Sequence, residues 1–345
     1  MCDIKSLSIE ELTKCVVELG HKPFRAKQIF KWLHEKSVTS FDEMLNIPND
    51  IKVKLANLYY ISVANIEKKQ ISCYDNTIKY LFKLYDGHYI ESVLMKYHFG
   101  YTICISTQVG CRMGCTFCAT GQNGFDRNLT AGEMISQIQV VQKDNNIRIS
   151  NIVFMGMGEP LDNYDNIMRF FDLISSPDGL NIGMRHITVS TCGVVDKIYK
   201  LADAKLQITL SISLHAATNE LRRTTMPINN RFPVEKLIEA CKYYIEKTGR
   251  RLSFEYAMIK GVNDSYNDAM LLCELLKGMM CHVNLIPINE TKGANYIKSD
   301  NENVQKFSAI LIKNGITATV RRTLGSDIDA SCGQLRGKKL DELKK

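Results

Sequence analysis

The chain has 345 residues, a formal net charge of +7, and 45% apolar against 23% charged residues. That balance allows one large domain and a small one around a sizeable core, and it excludes a disordered or low-complexity chain. No apolar signal core opens the sequence and no long uncharged apolar run crosses it, so the expectation is a cytoplasmic protein without a membrane span.

Residues 1–60 read as an N-terminal helical accessory domain. Ser8-Ile-Glu-Glu11 is a capping box for a helix that stops at Gly20. Ala26, Ile29, Phe30 and Leu33 recur at helical spacing between Pro23 and Lys36, with basic residues between them. Two short helices broken around Pro48 are expected over 40–60. Such a module with a basic face suits nucleic-acid binding or simple packing equally well. Residues 61–98 change character. Two β-rich runs, 77–84 and 88–95, flank Asp86-Gly87, a strong short hairpin signal, and predict a small antiparallel β element.

From 99 to 321 strand, loop and helix alternate. Strands are expected at 101–106, 151–155, 186–190, 206–214, 252–258 and 282–287, with helices at 130–143, 164–174, 194–201, 234–248 and 268–278. Six such units predict an α/β fold, a partial (β/α)6 TIM-like barrel with its helices outside. A last helix (302–314) and strand (316–321) lead to a polar C-terminal segment, 322–345, that carries Cys332.

Twelve cysteines are not spaced as a disulfide framework, and in a reducing compartment clustered cysteines mean metal or redox chemistry. Cys15, Cys241, Cys273 and Cys281 sit in apolar surroundings as small buried hydrophobes. The stretch Cys111-Arg-Met-Gly-Cys115-Thr-Phe-Cys118 is different. A structural zinc site wants four ligands, whereas three thiolates in one loop suit a cubane iron–sulfur cluster with one iron left open. The basic pairs Lys68-Lys69, Arg222-Arg223, Arg250-Arg251, Arg321-Arg322 and Lys338-Lys339 permit a polyanionic partner and are equally compatible with solvated surface charge.

In parallel α/β folds, sites form where strands end. The cysteine loop follows the first strand, Gly156-Met-Gly158-Glu159-Pro160 the second, Ser190-Thr-Cys-Gly193 the third, Ser213-Leu214-His215 the fourth and Pro287-Ile-Asn289 the sixth. Glycines let a backbone approach a ligand, and Glu159 offers an acceptor for an ammonium group. Each turn alone is ordinary turn chemistry, and His215 alone is as readily structural as functional; their succession around one cysteine loop argues for a site.

These motifs resemble those of radical S-adenosylmethionine (SAM) enzymes, and within them the RlmN/Cfr family of RNA adenine methyltransferases. Cys111, Cys115 and Cys118, with aromatic Phe117, match the superfamily loop, and Gly158-Glu159-Pro160 its motif for the SAM amino group. Gln108-Val-Gly-Cys111, the run from Phe154 to Pro160, Ser213-Leu214-His215 and the run from Asp327 through Cys332 to Leu335 carry the narrower likeness, which extends to about Gly337. Gly-Glu-Pro and Leu285-Ile-Pro-Ile-Asn289 favour the RlmN branch. Ser331 stands where the family more often has Ala.

The resemblance implies a radical SAM barrel and a [4Fe-4S] cluster on Cys111, Cys115 and Cys118. It implies two SAM molecules per turnover, contacted by Gly158, Glu159, Ser190, Ser213, Leu214, His215 and Asn289. It also implies an electron donor of the flavodoxin or ferredoxin kind and a monomer that acts on 23S ribosomal RNA at adenine 2503 and on tRNA at adenine 37. By the same resemblance Cys332 is expected to become an S-methylcysteine intermediate, Cys104 the resolving thiol that forms a transient disulfide with it, and Glu91 the proton acceptor. By pattern alone Cys104 is a packed strand cysteine and Glu91 a surface strand carboxylate. The chemistry fits the apparatus: adenine C2 lies between two ring nitrogens and is too electron-poor to attack a SAM methyl, whereas a carbon radical adds to it. Rival readings are a Cfr-like adenine-C8 methyltransferase, a radical SAM enzyme acting on protein or small molecules, and a non-catalytic zinc module that binds nucleic acid. Cys73 and Cys192 match no role.

Overall fold

A computed structural model describes residues 1–288, 296–329 and 333–343. Among these residues, seven parallel strands follow one another in chain order across one sheet: Gly100–Cys104, Ile149–Phe154, Ile187–Thr191, Thr209–Ser213, Leu252–Met258, Cys281–Pro287 and Thr317–Val320. Six carry the expected repeat, and the last strand joins them as a seventh. Helices Ala131–Asn145, Tyr164–Ser175, Val195–Asp203, Val234–Thr248, Tyr266–Leu276 and Asn301–Lys313 connect them. Leu237, Ile238, Cys241 and Tyr244 show why such a helix forms and docks: their three- and four-residue spacing puts one apolar stripe in the core.

The hairpin is not a separate sheet. Strand Tyr89–Tyr97 pairs antiparallel with the first parallel strand, Ile78–Lys83 pairs with it, and an unanticipated strand, Asn65–Ile71, completes a ten-stranded sheet. Asn65–Ile71 and Thr317–Val320 are its two edges, so the sheet stays open rather than closing into a ring.

The N-terminal helices Ile9–Glu18, Phe24–His34 and Asn49–Leu58 follow the expected pattern, with the Ser8–Glu11 capping box formed. They are fixed to the barrel through buried and half-buried polar groups. Thr130 Oγ1 donates to Asp3 (2.7 Å), Lys5 Nζ to Gln139 Oε1 (2.8 Å), and Arg169 grips Glu11 with two bonds. The polar tail is not all loop: Gln334–Leu343 forms a helix that buries Leu335 and Arg336. Among the described residues no helix is long and apolar enough to cross a membrane.

Candidate active site

The loops at the C-terminal ends of the parallel strands enclose a cavity of about 400 Å3. Of the residues expected at a site, Cys104, Cys111, Cys115, Cys118, Gly158, Glu159, Ser190, Ser213 and His215 all line it. Leu214 stands behind the wall, fully buried, and Asn289 and Cys332 lie outside the described residues. Val93, Met95 and Tyr97 of the antiparallel strand supply an apolar side.

A two-stranded clip holds the cysteine loop. Gln108–Gly110 pairs antiparallel with Phe125–Asn128, and Cys111 donates its N–H to Gly124 O at 2.7 Å. Thr116 N donates to Thr225 O (3.0 Å), tying the loop to the segment after the fourth strand. Gly158 has φ +103°, and a Cβ there would lie 2.6 Å from Gln108 Cβ, so only glycine lets this turn lie against the clip. Gln108 is the buried hub: its Oε1 accepts from Glu159 N (2.9 Å), and its Nε2 donates to Asn128 and Asp162.

Glu159 is buried, and its two oxygens accept the N–H groups of Leu161 (2.9 Å) and Cys192 (2.8 Å). Burial raises its pKa despite those bonds. Burial likewise pushes the Cys111 thiol up to about 12 and Cys115 higher still, with the neighbouring thiols and Glu159 adding to the effect. A cavity in which Glu159, Cys111 and Cys115 resist ionisation gains from cationic guests. Iron ions at the thiols and an ammonium at Glu159 fit that requirement. Among the described residues no three such side chains are grouped to hold a single metal ion. A cubane asks for something else, since each thiolate takes its own iron.

His215 takes a left-handed backbone conformation (φ 58°), uncommon outside glycine. Its Nδ1 accepts from Ala257 N at 3.0 Å, and Asn263 Nδ2 donates to its carbonyl at 2.8 Å. Burial, aided by the Arg222 charge, lowers its pKa to about 3, so the ring is neutral and carries its hydrogen on Nε2. The ring stands edge-on to Phe117, centroids 4.9 Å apart, which joins the fourth strand end to the cysteine loop. The Ser190 and Ser213 hydroxyls face each other at 3.5 Å.

Four residues enter the site without having been singled out for it. Arg222, placed by sequence in a basic surface pair, is 0% exposed. It donates to the carbonyls of Leu214 (3.1 Å), Cys192 (2.6 Å) and Ser213 (3.3 Å), pinning two strand ends. Cys192 lines the cavity and links Glu159 to Arg222 through its backbone. Glu255 also lines the cavity, its carboxylate held by Ser211, Ser253 and Asn284. A lone carboxylate inside the apolar run Phe254–Met258 was the available signal for it. The fourth, Lys79, stands outside the cavity wall and acts on Glu91.

Glu91 is not a surface carboxylate. It is 2% exposed, and among the described residues it lies outside the cavity wall. Its Oε2 accepts from Lys79 Nζ and from Gly333 N, both at 2.6 Å, and its Oε1 accepts from Arg336 N at 2.7 Å. Strand register explains the ion pair: Leu81 opposes Glu91 and Lys79 opposes Val93, so Lys79 is the diagonal neighbour on the same face. Upstream, Asp327 accepts from Ser72 Oγ (2.6 Å) and from both N and Sγ of Cys73 (2.8 and 3.1 Å). Gly325 N donates to Asp75 (2.8 Å) and Gln70 Nε2 to Asp329 (3.1 Å). The chain on either side of residues 330–332 is therefore tied to the antiparallel strands and the turn that joins them.

Comparison with known proteins gives the same outline. Residues 105–273 match the model of the radical SAM superfamily, and residues 2–61 match that of the ribosomal RNA large subunit methyltransferase N-terminal domain. A protein of Clostridium novyi (strain NT) named "Probable dual-specificity RNA methyltransferase RlmN" is 53% identical over 97% of this chain and 98% of its own length. A protein of the same name from Alkaliphilus oremlandii is 55% identical over 98% of each chain. The crystal structure of a radical SAM methyltransferase from Sphaerobacter thermophilus superposes with a TM-score of 0.92 at 41% identity, covering 97% of this chain and 99% of that one.

Proposed function

The chain belongs to the RlmN family of radical SAM RNA methyltransferases, and on that premise we propose that it methylates C2 of adenine in 23S ribosomal RNA, at adenine 2503, and in tRNA, at adenine 37. Members of this family use a [4Fe-4S] cluster and two SAM molecules per turnover. Bound in the cavity, these groups supply a carbon-centred radical able to react at an electron-poor ring carbon.

Cys111, Cys115 and Cys118 hold the cluster. Glu159 receives the SAM ammonium, and Gly158 brings backbone close to it. Ser190, Ser213, Leu214, His215 and Asn289 bind the rest of the cofactor, with the neutral His215 ring as a donor. Cys332 carries the methyl group as S-methylcysteine, Cys104 resolves its link to the product by forming a disulfide with it, and Glu91 takes the C2 proton. The observation that carries this reading is convergence. Cys104 and the three loop cysteines share one cavity wall, and Gly333, next in the chain to Cys332, is seated against Thr120, two residues past Cys118. A flavodoxin or ferredoxin serves as electron donor to a cytoplasmic monomer.

The test is anaerobic reconstitution with iron and sulfide, reaction of unmodified 23S rRNA and tRNA with SAM, and nucleoside mass spectrometry. The expected product is 2-methyladenosine. Finding 8-methyladenosine alone would replace this reading with the Cfr-like one, and unmodified RNA would leave the rival substrates.

A further inference from the structure

Gly333 opens the helix Gln334–Leu343 but has no side chain with which to cap it. An ordinary capping box satisfies two backbone donors, that of the N-cap residue and that of the third helical residue. Here those donors are Gly333 N–H and Arg336 N–H, and both go to one carboxylate, Glu91, 242 positions earlier in the chain. An anion at a helix start is also favoured by the helix dipole. Lys79, itself fully buried, holds that anion from the other side at 2.6 Å. Gly333 cannot be exchanged for a residue that would cap the helix itself. Its φ is +84°, and a Cβ would lie 2.6 Å from Thr120 N.

We infer that Glu91 is a positioning residue for the Cys332 segment: anchored by Lys79, its carboxylate caps the C-terminal helix across the molecule and fixes the chain leaving Cys332 against the cysteine loop. The inference rests on the reading of Cys332 as methyl carrier and adds a role to that of proton acceptor.

Two readouts on the reconstituted full chain test it. The first is hydrogen–deuterium exchange over residues 333–343. Glu91→Ala is expected to raise exchange there at least tenfold while the parallel strands keep their protection, with Glu91→Gln in between because one oxygen still accepts. Unchanged exchange in both variants would overturn the inference. The second is the intact-mass gain of one methyl on the protein when SAM is supplied without RNA. No base at adenine is needed for that step, so a residue acting only as proton acceptor predicts a normal rate. The capping role predicts a rate at least tenfold slower in Glu91→Ala, partly restored in Glu91→Gln. A normal rate in Glu91→Ala would sink the positioning role. Absence of methylation in the unaltered protein would instead sink the reading of Cys332, with the exchange experiment still deciding the cap.

Discussion

The backbone N–H of Cys192 meets the carboxylate of Glu159 at 2.8 Å, so the third strand end orients the acid offered by the second. With Leu161 N on the other oxygen, the carboxylate is fixed in the cavity wall, and burial makes a cationic partner worth more to it. Glu159→Gln keeps the shape and loses the charge. SAM affinity should fall by about 10- to 100-fold, the range of one charge-assisted contact. Equilibrium dialysis on reconstituted protein measures this. Unchanged SAM affinity at normal iron content would remove Glu159 from the cofactor site.

Replacing any one of Cys111, Cys115 or Cys118 with Ala should abolish the brown iron–sulfur chromophore. Iron would fall from about four per chain to less than about one after anaerobic reconstitution. Iron and zinc analysis checks both this and the zinc rival. A colourless parent protein with about one zinc per chain would refute the cluster.

Arg222 is a structural cation and not an RNA contact. Arg222→Met should leave the carbonyls of Cys192, Leu214 and Ser213 without this donor and cost about 3 kcal/mol of stability. Arg222→Lys, with one point charge in place of the planar fork, should recover less than half. Urea denaturation reads both. Stability within about 0.5 kcal/mol of the parent would contradict the assignment.

Stability should fall in acid through His34. Burial, with the Lys5 charge beside it, lowers its pKa in the fold to about 3, while the unfolded chain titrates at the ordinary 6.5. Between those values the unfolded state binds a proton that the folded state refuses, so stability is lost as pH drops below about 6.5. From pH 7 to 5 the loss is about 2 kcal/mol. His34→Phe keeps a ring beside Phe30, whose centroid lies 4.2 Å away, and removes the titration. The stability difference between parent and variant should therefore shift by that amount over the same range. A difference independent of pH would show that His34 does not titrate in this way.

Much of this was legible in advance, for identifiable reasons. The first helix declared its start through Ser8–Glu11, where the cap lies beside the helix it serves. Strand ends were legible because apolar runs stop at polar or glycine residues, and those ends became the cavity wall. The C-terminal helix gave no such signal. Its first residue follows a glycine, its composition is polar, and its cap comes from another strand. Glu91 was misjudged for the same reason. Alternation along 88–95 does not say that both faces of this strand are covered, one by the helix Ala131–Asn145 through Ser92 and Gln137, the other by the returning C-terminus. Arg222 looked like half of a surface pair because sequence does not reveal that three backbone carbonyls converge on it.

The order of strands in the sheet has a consequence for how the molecule is made. From Asn65–Ile71 to Thr317–Val320, sheet neighbours succeed one another along the chain, so each strand emerging during synthesis finds its partner already present. The contact of Glu91 with Gly333 spans 242 positions, and its loop closes only once the last strand is in place. The cysteine loop and the Glu159 turn are thus made on a nascent chain before the C-terminal helix leaves the ribosome. A chain that stops short of Gly333 keeps Glu91 and Lys79 and lacks the backbone donors that Glu91 caps.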